Sequence, residues 1–232
     1  MTRSDRAIVL VGDVVGSRRS AGETAEWLRA VAADLEARFA DVRLAPFGFT
    51  QGDELQGLLD LAADPFLAVL ATGLRDDARP MRWVVAVGPV EAGRGPATER
   101  GGEAFVVARQ RLTAAKAARD GLAVVTGDAA ANALFDDVAP LLATLVTDLT
   151  PRQRTVARLI LVDGVRQADA AERLGVSRAT VSVVAGRGRI REIGRLARAF
   201  RRVFAEAVAA PAATPVAGSA AGSVLMAADR PT

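Results

Sequence analysis

Asp13 and Asp53 are the two carboxylates whose surroundings could do chemistry. The first closes an apolar run, AIVLVGDVV at residues 7–15, and the second sits in the turn-forming stretch Thr50-Gln51-Gly52-Asp53. Two carboxylates on adjacent strands can hold one or two Mg2+ ions, which in turn grip phosphates. The turn Val14, Val15, Gly16, Ser17 leads from Asp13 into a helix, where backbone N–H groups can cradle a phosphate. Each aspartate also has a plainer reading, Asp13 as a cap on a turn and Asp53 as an ordinary hairpin-tip residue. Arg18 and Arg19 are open to both readings, phosphate ligands or solvated charges. Glu54 reads as alternating outward or supporting the loop. The chain has no histidine and no cysteine, which excludes disulfides, thiolate chemistry, the usual zinc sites and a Ser-His-Asp relay. It has no GxxxxGK[ST] loop either, so P-loop chemistry is excluded.

A second constellation points to a polyanion. Gln167–Val184, QADAAERLGVSRATVSVV, has small Ala171 where two helices must approach, Gly175 in the turn and Ser177 as a helix cap. Leu174, Val176, Val181 and Val184 would fill the space between those helices. The outer face of the second helix would carry Arg178, Ala179, Ser182 and Val183, side chains that suit base edges in a major groove. Arg166, Arg173, Arg187, Arg189 and Arg191 are spaced to meet phosphates. The overall charge of +3 conceals the asymmetry. Residues 151–202 carry 13 arginines against four acids, leaving 17 basic against 23 acidic groups elsewhere. An acidic front joined to a basic back places nucleic acid on the back. The alternative is a helical hairpin with a solvated charged face. Arg187-Gly188-Arg189 has the core of a minor-groove hook without its flanking proline, and reads better as a helix-ending turn.

The elements that must position these residues follow from periodicity. Residues 7–15 read as a buried strand. Ser20 and Glu23 have capping-box spacing, and Trp27, Val31, Leu35 and Phe39 make one apolar helical face. Residues 42–49 and 54–61 read as a hairpin, and Asp64-Pro65 opens a helix to about Asp76. Met81–Val90 is a strand, 93–102 a loop, Glu103–Ala118 a helix and Leu122–Val125 a short strand. The order β-α-β-β-α-β is the split βαβ, or ferredoxin-like, pattern. Beyond Ala129 the chain reads as helical. Ile190, Ile193, Leu196, Ala197, Phe200, Val203 and Phe204 form a stripe suited to a core or a dimer seam.

Two resemblances sharpen this. Gln167–Val184 with the leading Leu149-Thr150-Pro151-Arg152-Gln153 is similar to the helix-turn-helix of sigma-factor region four and of LuxR-type regulators. VGDVVGS (11–17), FTQGDELQGLLD (49–60), RWVVAVGPVEAG (82–93) and GGEAFVVARQRL (101–112) resemble the SatD family over about residues 7–120, and more remotely the class III nucleotidyl cyclase fold. On the cyclase comparison Asp13 and Asp53 match the metal-binding aspartates, and Arg109 matches a transition-state arginine. Phe49 stands where the cyclases keep a substrate-reading lysine and Phe105 where they keep a transition-state asparagine. Losing those groups removes base recognition and charge stabilisation.

The expectation is therefore an α/β (α+β) protein. Residues 1–128 form a ferredoxin-like, cyclase-like sensor domain, 129–207 an all-α helix-turn-helix domain, and 208–232 a disordered Ala/Pro/Gly/Ser-rich tail. The function expected is a DNA-binding transcription regulator. Its front domain would bind a nucleotide or nucleotide-derived signal, with Mg2+, through Asp13, Asp53, Val14, Val15, Gly16, Ser17 and Arg109. Its DNA contacts would come from Arg166, Arg173, Ser177, Arg178, Ala179, Ser182, Val183, Arg187 and Arg189. The alternative is a Mg2+-dependent nucleotidyl cyclase or transferase, with Arg109 catalytic, and a blander one makes the front domain a dimerisation scaffold. Partners expected are double-stranded DNA, a nucleotide-like small molecule and a second copy in a homodimer. With no signal-peptide pattern and no stretch reaching about 18 apolar uncharged residues, a cytoplasmic location and no membrane partner are expected.

Overall fold

β1 (Arg6–Val14) is apolar from Ala7 to Val11 because both of its faces are covered. The computed structural model describes residues 6–17, 21–50 and 53–209. Around β1 lie β2 (Arg43–Phe49), β3 (Glu54–Leu59), β4 (Met81–Pro89) and β5 (Leu122–Val125), in the sheet order β2-β3-β1-β4-β5. β1 runs antiparallel to β3 and β4, β2 runs antiparallel to β3, and β4 and β5 are parallel. The crossovers through α1 (Ala21–Arg38) and α2 (Pro65–Gly73) each return a strand parallel to the one they left, with one strand between. Ile8, Leu10 and Val14 face the layer that holds Trp27, Leu28 and Val31 of α1 and Phe66 and Leu70 of α2. Val9 and Val11 face Phe105, Ala108 and Leu112 of α3 (Glu103–Ala118) on the other side. Gly12 permits a close approach. A Cβ there would lie 2.6 Å from the Met81 methyl and 2.9 Å from the Trp83 ring.

The remaining helices are α4 (Ala129–Thr147), α5 (Pro151–Leu161), α6 (Gln167–Arg173), α7 (Arg178–Arg187) and α8 (Ile190–Ala209). Asp128 caps α4 by accepting from the Ala131 N–H at 2.7 Å. Thr150 and Gln153 form a reciprocal capping box at the start of α5. α4 starts at the expected domain boundary, and the helices after it share the core of the sheet. Phe66 of α2 meets Phe135 of α4 and Phe200 and Phe204 of α8, with ring centroids 5.4–6.0 Å apart. The apolar stripe of α8 goes into this core: Ile190, Ile193, Ala197, Phe200 and Phe204 are buried. Polar ties reinforce it. Arg201 pairs with Asp64 at 2.6 Å, and Arg158 donates to the Ala71 carbonyl at 2.9 Å and to Asp34 at 3.3 Å.

By length and composition the 19-residue α4 is apolar enough to cross a membrane, its most apolar 18-residue stretch having a mean hydropathy of 1.4. Its Phe135, Ala139, Leu142 and Val146 are buried, while Asp136 and Asp137 are exposed. α8 continues to Ala209, so the helical part extends past residue 207. Arg18, Arg19, the Ser20 cap and the tail from residue 210 lie outside the described residues.

Candidate ligand site and candidate nucleic-acid interface

Asp13, the last residue but one of β1, sits on the α3 side of the sheet opposite Glu54 of β3 and Arg82 of β4. Strand alternation puts these three side chains on one face, directly under the C-terminal half of α3. Lys116, the single lysine in the chain, reaches down from α3 to Asp13 Oδ1 at 2.7 Å. Arg82 approaches Oδ2 at 3.7 Å. Asp53 is close enough for its charge to act on Asp13, and it accepts a hydrogen bond from the Ser17 hydroxyl. Glu54 accepts from the amide of Gln56, which is buried on the same face as Asp13, so Glu54 supports this cluster from within the sheet.

The fourfold backbone cradle expected at Val14–Ser17 is reduced. The Val14 N–H already donates to the Asp53 carbonyl at 3.0 Å, and the Val15 N–H to the Pro80 carbonyl at 2.8 Å. Those bonds anchor the turn to both neighbouring strands. Gly16, at φ 76°, keeps the turn in a conformation cheap only for glycine.

Mg2+ does not fit Asp13 and Asp53 as they are arranged. Each Asp13 oxygen faces a cation, and among the described residues no three acidic side chains are arranged so as to hold a metal ion. A divalent ion would compete with an ammonium already in contact, and Mg2+ loses its waters reluctantly. Lys116→Met is therefore expected to create a Mg2+ response that the parent lacks. Thermal midpoints with and without millimolar Mg2+ check it, and equal shifts in both proteins would show that Lys116 is no barrier.

Burial pushes the Asp13 carboxyl above its ordinary value, and Asp53 adds to this; the Lys116 hydrogen bond and charge, then Arg82, pull it back. A carboxyl raised in the folded state is penalised for ionising there, so the penalty holds above its folded value and disappears below its unfolded one. Asp13→Asn should consequently melt above the parent at neutral pH and together with it at about pH 3. Circular-dichroism melts across that range measure the difference. A variant that melts lower at neutral pH would mean that Asp13 is retained for its ion pairs.

Arg109 does not join this cluster. It lies seven residues before Lys116 on α3, about 10 Å along the axis, and is exposed. Phe105 is buried against the sheet, and Phe49 is packed with the Arg29 guanidinium 5.8 Å from its ring centroid. Both phenylalanines thus serve packing where the cyclase comparison wants polar groups. Lys116 and Arg82 are the residues that the motifs missed. The only trace of them in the sequence is the lone lysine, on the same α3 face as Arg109 and two turns away.

In the basic half, α6 and α7 meet across Gly175, which adopts φ 62°. Ala170 and Ala171 are buried where the helices touch, and Val181 anchors α7 from beneath. The Ser177 hydroxyl accepts from the Thr180 N–H at 3.1 Å and caps α7. Arg178, Ala179, Ser182, Val183 and Arg187 are exposed together on the outer face of α7. Arg173 and Arg189 are also exposed. None of Arg173, Arg178, Arg187 and Arg189 makes a salt bridge among the described residues, whereas Arg166 is held by Asp169 at 3.0 Å and Arg191 by Glu192. Gly188 ends α7, with Arg189 at φ 51°, so Arg187-Gly188-Arg189 is a helix-ending turn.

No protein-family profile matches this chain, and no curated protein matches it. Among solved structures it is similar to the crystal structure of a regulator of polyketide synthase expression from Bifidobacterium adolescentis. The two are 17% identical, with a TM-score of 0.27 over 87% of this chain and 82% of that one. A likeness this shallow leaves function to be argued from the residues themselves.

Proposed function

We propose that this chain is a DNA-binding transcription regulator whose helix-turn-helix, α6 and α7, reads duplex DNA, and whose sheet domain senses a nucleotide or nucleotide-derived signal. The carrying observation is the outer face of α7: a capped helix off a glycine turn, with arginines that make no salt bridge among the described residues beside small side chains. Evolution toward solubility alone has no need of Val183 there, 52% exposed; opposite a thymine methyl it has a partner. Arg178 at the N-terminal end of α7 suits the O6 and N7 of guanine, and Ser177, Ala179 and Ser182 are short enough to let the helix enter the groove. Arg173, Arg187 and Arg189 flank it as phosphate contacts, with Arg166 freed from Asp169 by a competing phosphate. A homodimer would double this surface over two half-sites.

The sensing half rests on the Asp13 cluster. Its strand order and crossovers agree with the ferredoxin-like order expected of a cyclase-like domain. Lys116 and Arg82 supply positive charge beside the turn Val14–Ser17, where a phosphate would be drawn away from Asp13 and Asp53 toward the Ser17 hydroxyl and the two cations. With Arg109 outside the cluster and Phe105 in the core, the arrangement favours binding over turnover.

Selection of duplexes from a random pool by the full chain, followed by affinity measurement at several salt concentrations, tests the first half. Enrichment of one motif with a steep salt dependence is expected; binding without sequence preference would sink it. Titration of nucleoside triphosphates, cyclic nucleotides and dinucleotides in a calorimeter tests the second. A saturating isotherm weakened by Arg82→Ala is expected, and silence across the panel would leave the sheet as a scaffold.

A further inference from the structure

At the joint between the sheet and the helical half lies a cavity of about 100 Å3, on the face of the sheet opposite Asp13. Its walls come from the end of α2, the first residues of β4, the last turns of α4 and the start of α5. Thr72 of α2 is 2% exposed, and its hydroxyl has no partner in the protein. Arg154 of α5 lines the same cavity with its Nε buried and unpartnered, and its guanidinium makes no salt bridge among the described residues. Arg79 adds a second guanidinium to the lining, tied on its outer side to Glu23 at 3.1 Å. Among the described residues, no acidic side chain lines the cavity. Buried donors left without acceptors are costly, and two that face one space share a single remedy.

We infer that this cavity is a binding site for a small oxyanion. Arg154 Nε–H and the Thr72 hydroxyl donate to it, and Arg79 contributes charge. The volume takes about three waters or one tetrahedral anion and is far too small for a nucleotide, so the site is separate from the Asp13 cluster. Guanidinium geometry favours carboxylate and phosphate oxygens alike, and the probes distinguish them. The position gives the site a consequence. α5 packs directly on α7, so an anion that bridges Arg154 to Thr72 fixes the helix beneath the DNA-reading helix to α2. Pro80, also in the lining, holds the Val15 N–H of the turn after β1.

The test uses the full chain, with phosphate, sulfate and acetate each compared with chloride at equal ionic strength. Phosphate or sulfate, or acetate if the natural ligand is a carboxylate, is expected to raise the thermal midpoint saturably. Thr72→Val removes only the unpartnered hydroxyl, so the variant folds, and it should bind the stabilising anion at least tenfold more weakly. Thr72→Ser should retain the response. No saturable effect beyond chloride would overturn the proposal and leave the cavity to water. Equal stabilisation of the parent and Thr72→Val would overturn it too, by placing the anion on the exposed arginines of α7. Neither result depends on sequence-specific DNA binding or on nucleotides.

Discussion

Arg178→Ala should weaken binding to the selected duplex by about 1–3 kcal/mol, roughly 5- to 150-fold, and relax preference at one base position. Arg178 is exposed at the first turn of α7, makes no salt bridge among the described residues, and stands beside the cap that fixes the helix direction. A residue that touches a base edge loses discrimination as well as affinity. Arg187→Ala is the internal control, because a phosphate contact weakens all sequences alike and lowers the salt slope by about one. Arg166→Ala should cost less than either, since Arg166 must first give up Asp169. Competition binding with single-base variants of the duplex measures all three. If Arg178→Ala leaves the base preference intact, α7 does not read the groove with this face.

Phe200→Ala should destabilise the whole chain by about 3–5 kcal/mol, the usual cost of truncating a buried aromatic ring. Natural domains have roughly 5–15 kcal/mol in total, so the loss is a large fraction. Phe200 is fully buried, packed on Phe66 of α2 at 5.4 Å and on Phe135 of α4 at 5.4 Å. The ring therefore belongs to the sheet's core as much as to the helices. One cooperative transition, shifted as a whole, is the expected outcome in urea followed by both tryptophan fluorescence and far-ultraviolet circular dichroism. Trp27 and Trp83 both lie in the sheet domain, so their signal reports on the half that does not contain the substitution. If fluorescence stays at the parent midpoint while ellipticity moves, the two halves unfold independently.

The placement of elements was largely legible because short-range rules govern it. Glu103–Ala118 and Leu122–Val125 fall where the periodicity put them, and Thr150-Pro151 and Ser177 begin helices as their side chains require. The glycine turn at Gly175 follows from one residue's tolerance of positive φ. Helix ends follow less directly from local rules: α2 stops at Gly73, short of Asp76, where the Leu74 N–H turns back to the Leu70 carbonyl. The stripe on α8 was visible, but its partner was not, since the same apolar spacing serves a dimer seam or a core.

The sequence by itself determined the inventory: no thiol or imidazole, a basic back half, two aspartates at strand ends and two short helices with their glycine turn and serine cap. Those follow from residue type and from neighbours a few positions apart. Only the tertiary structure decided what Asp13 meets. Its partners are 69 and 103 positions away along the chain: Arg82 through antiparallel register and Lys116 through the docking of α3, and neither leaves a local pattern. The same holds for Thr72 and Arg154, ordinary residues in their own helices that become unpartnered donors only when α5 closes over α2. Propensity and periodicity act within a few residues, while burial and charge pairing are set by surfaces that meet only after the chain has folded.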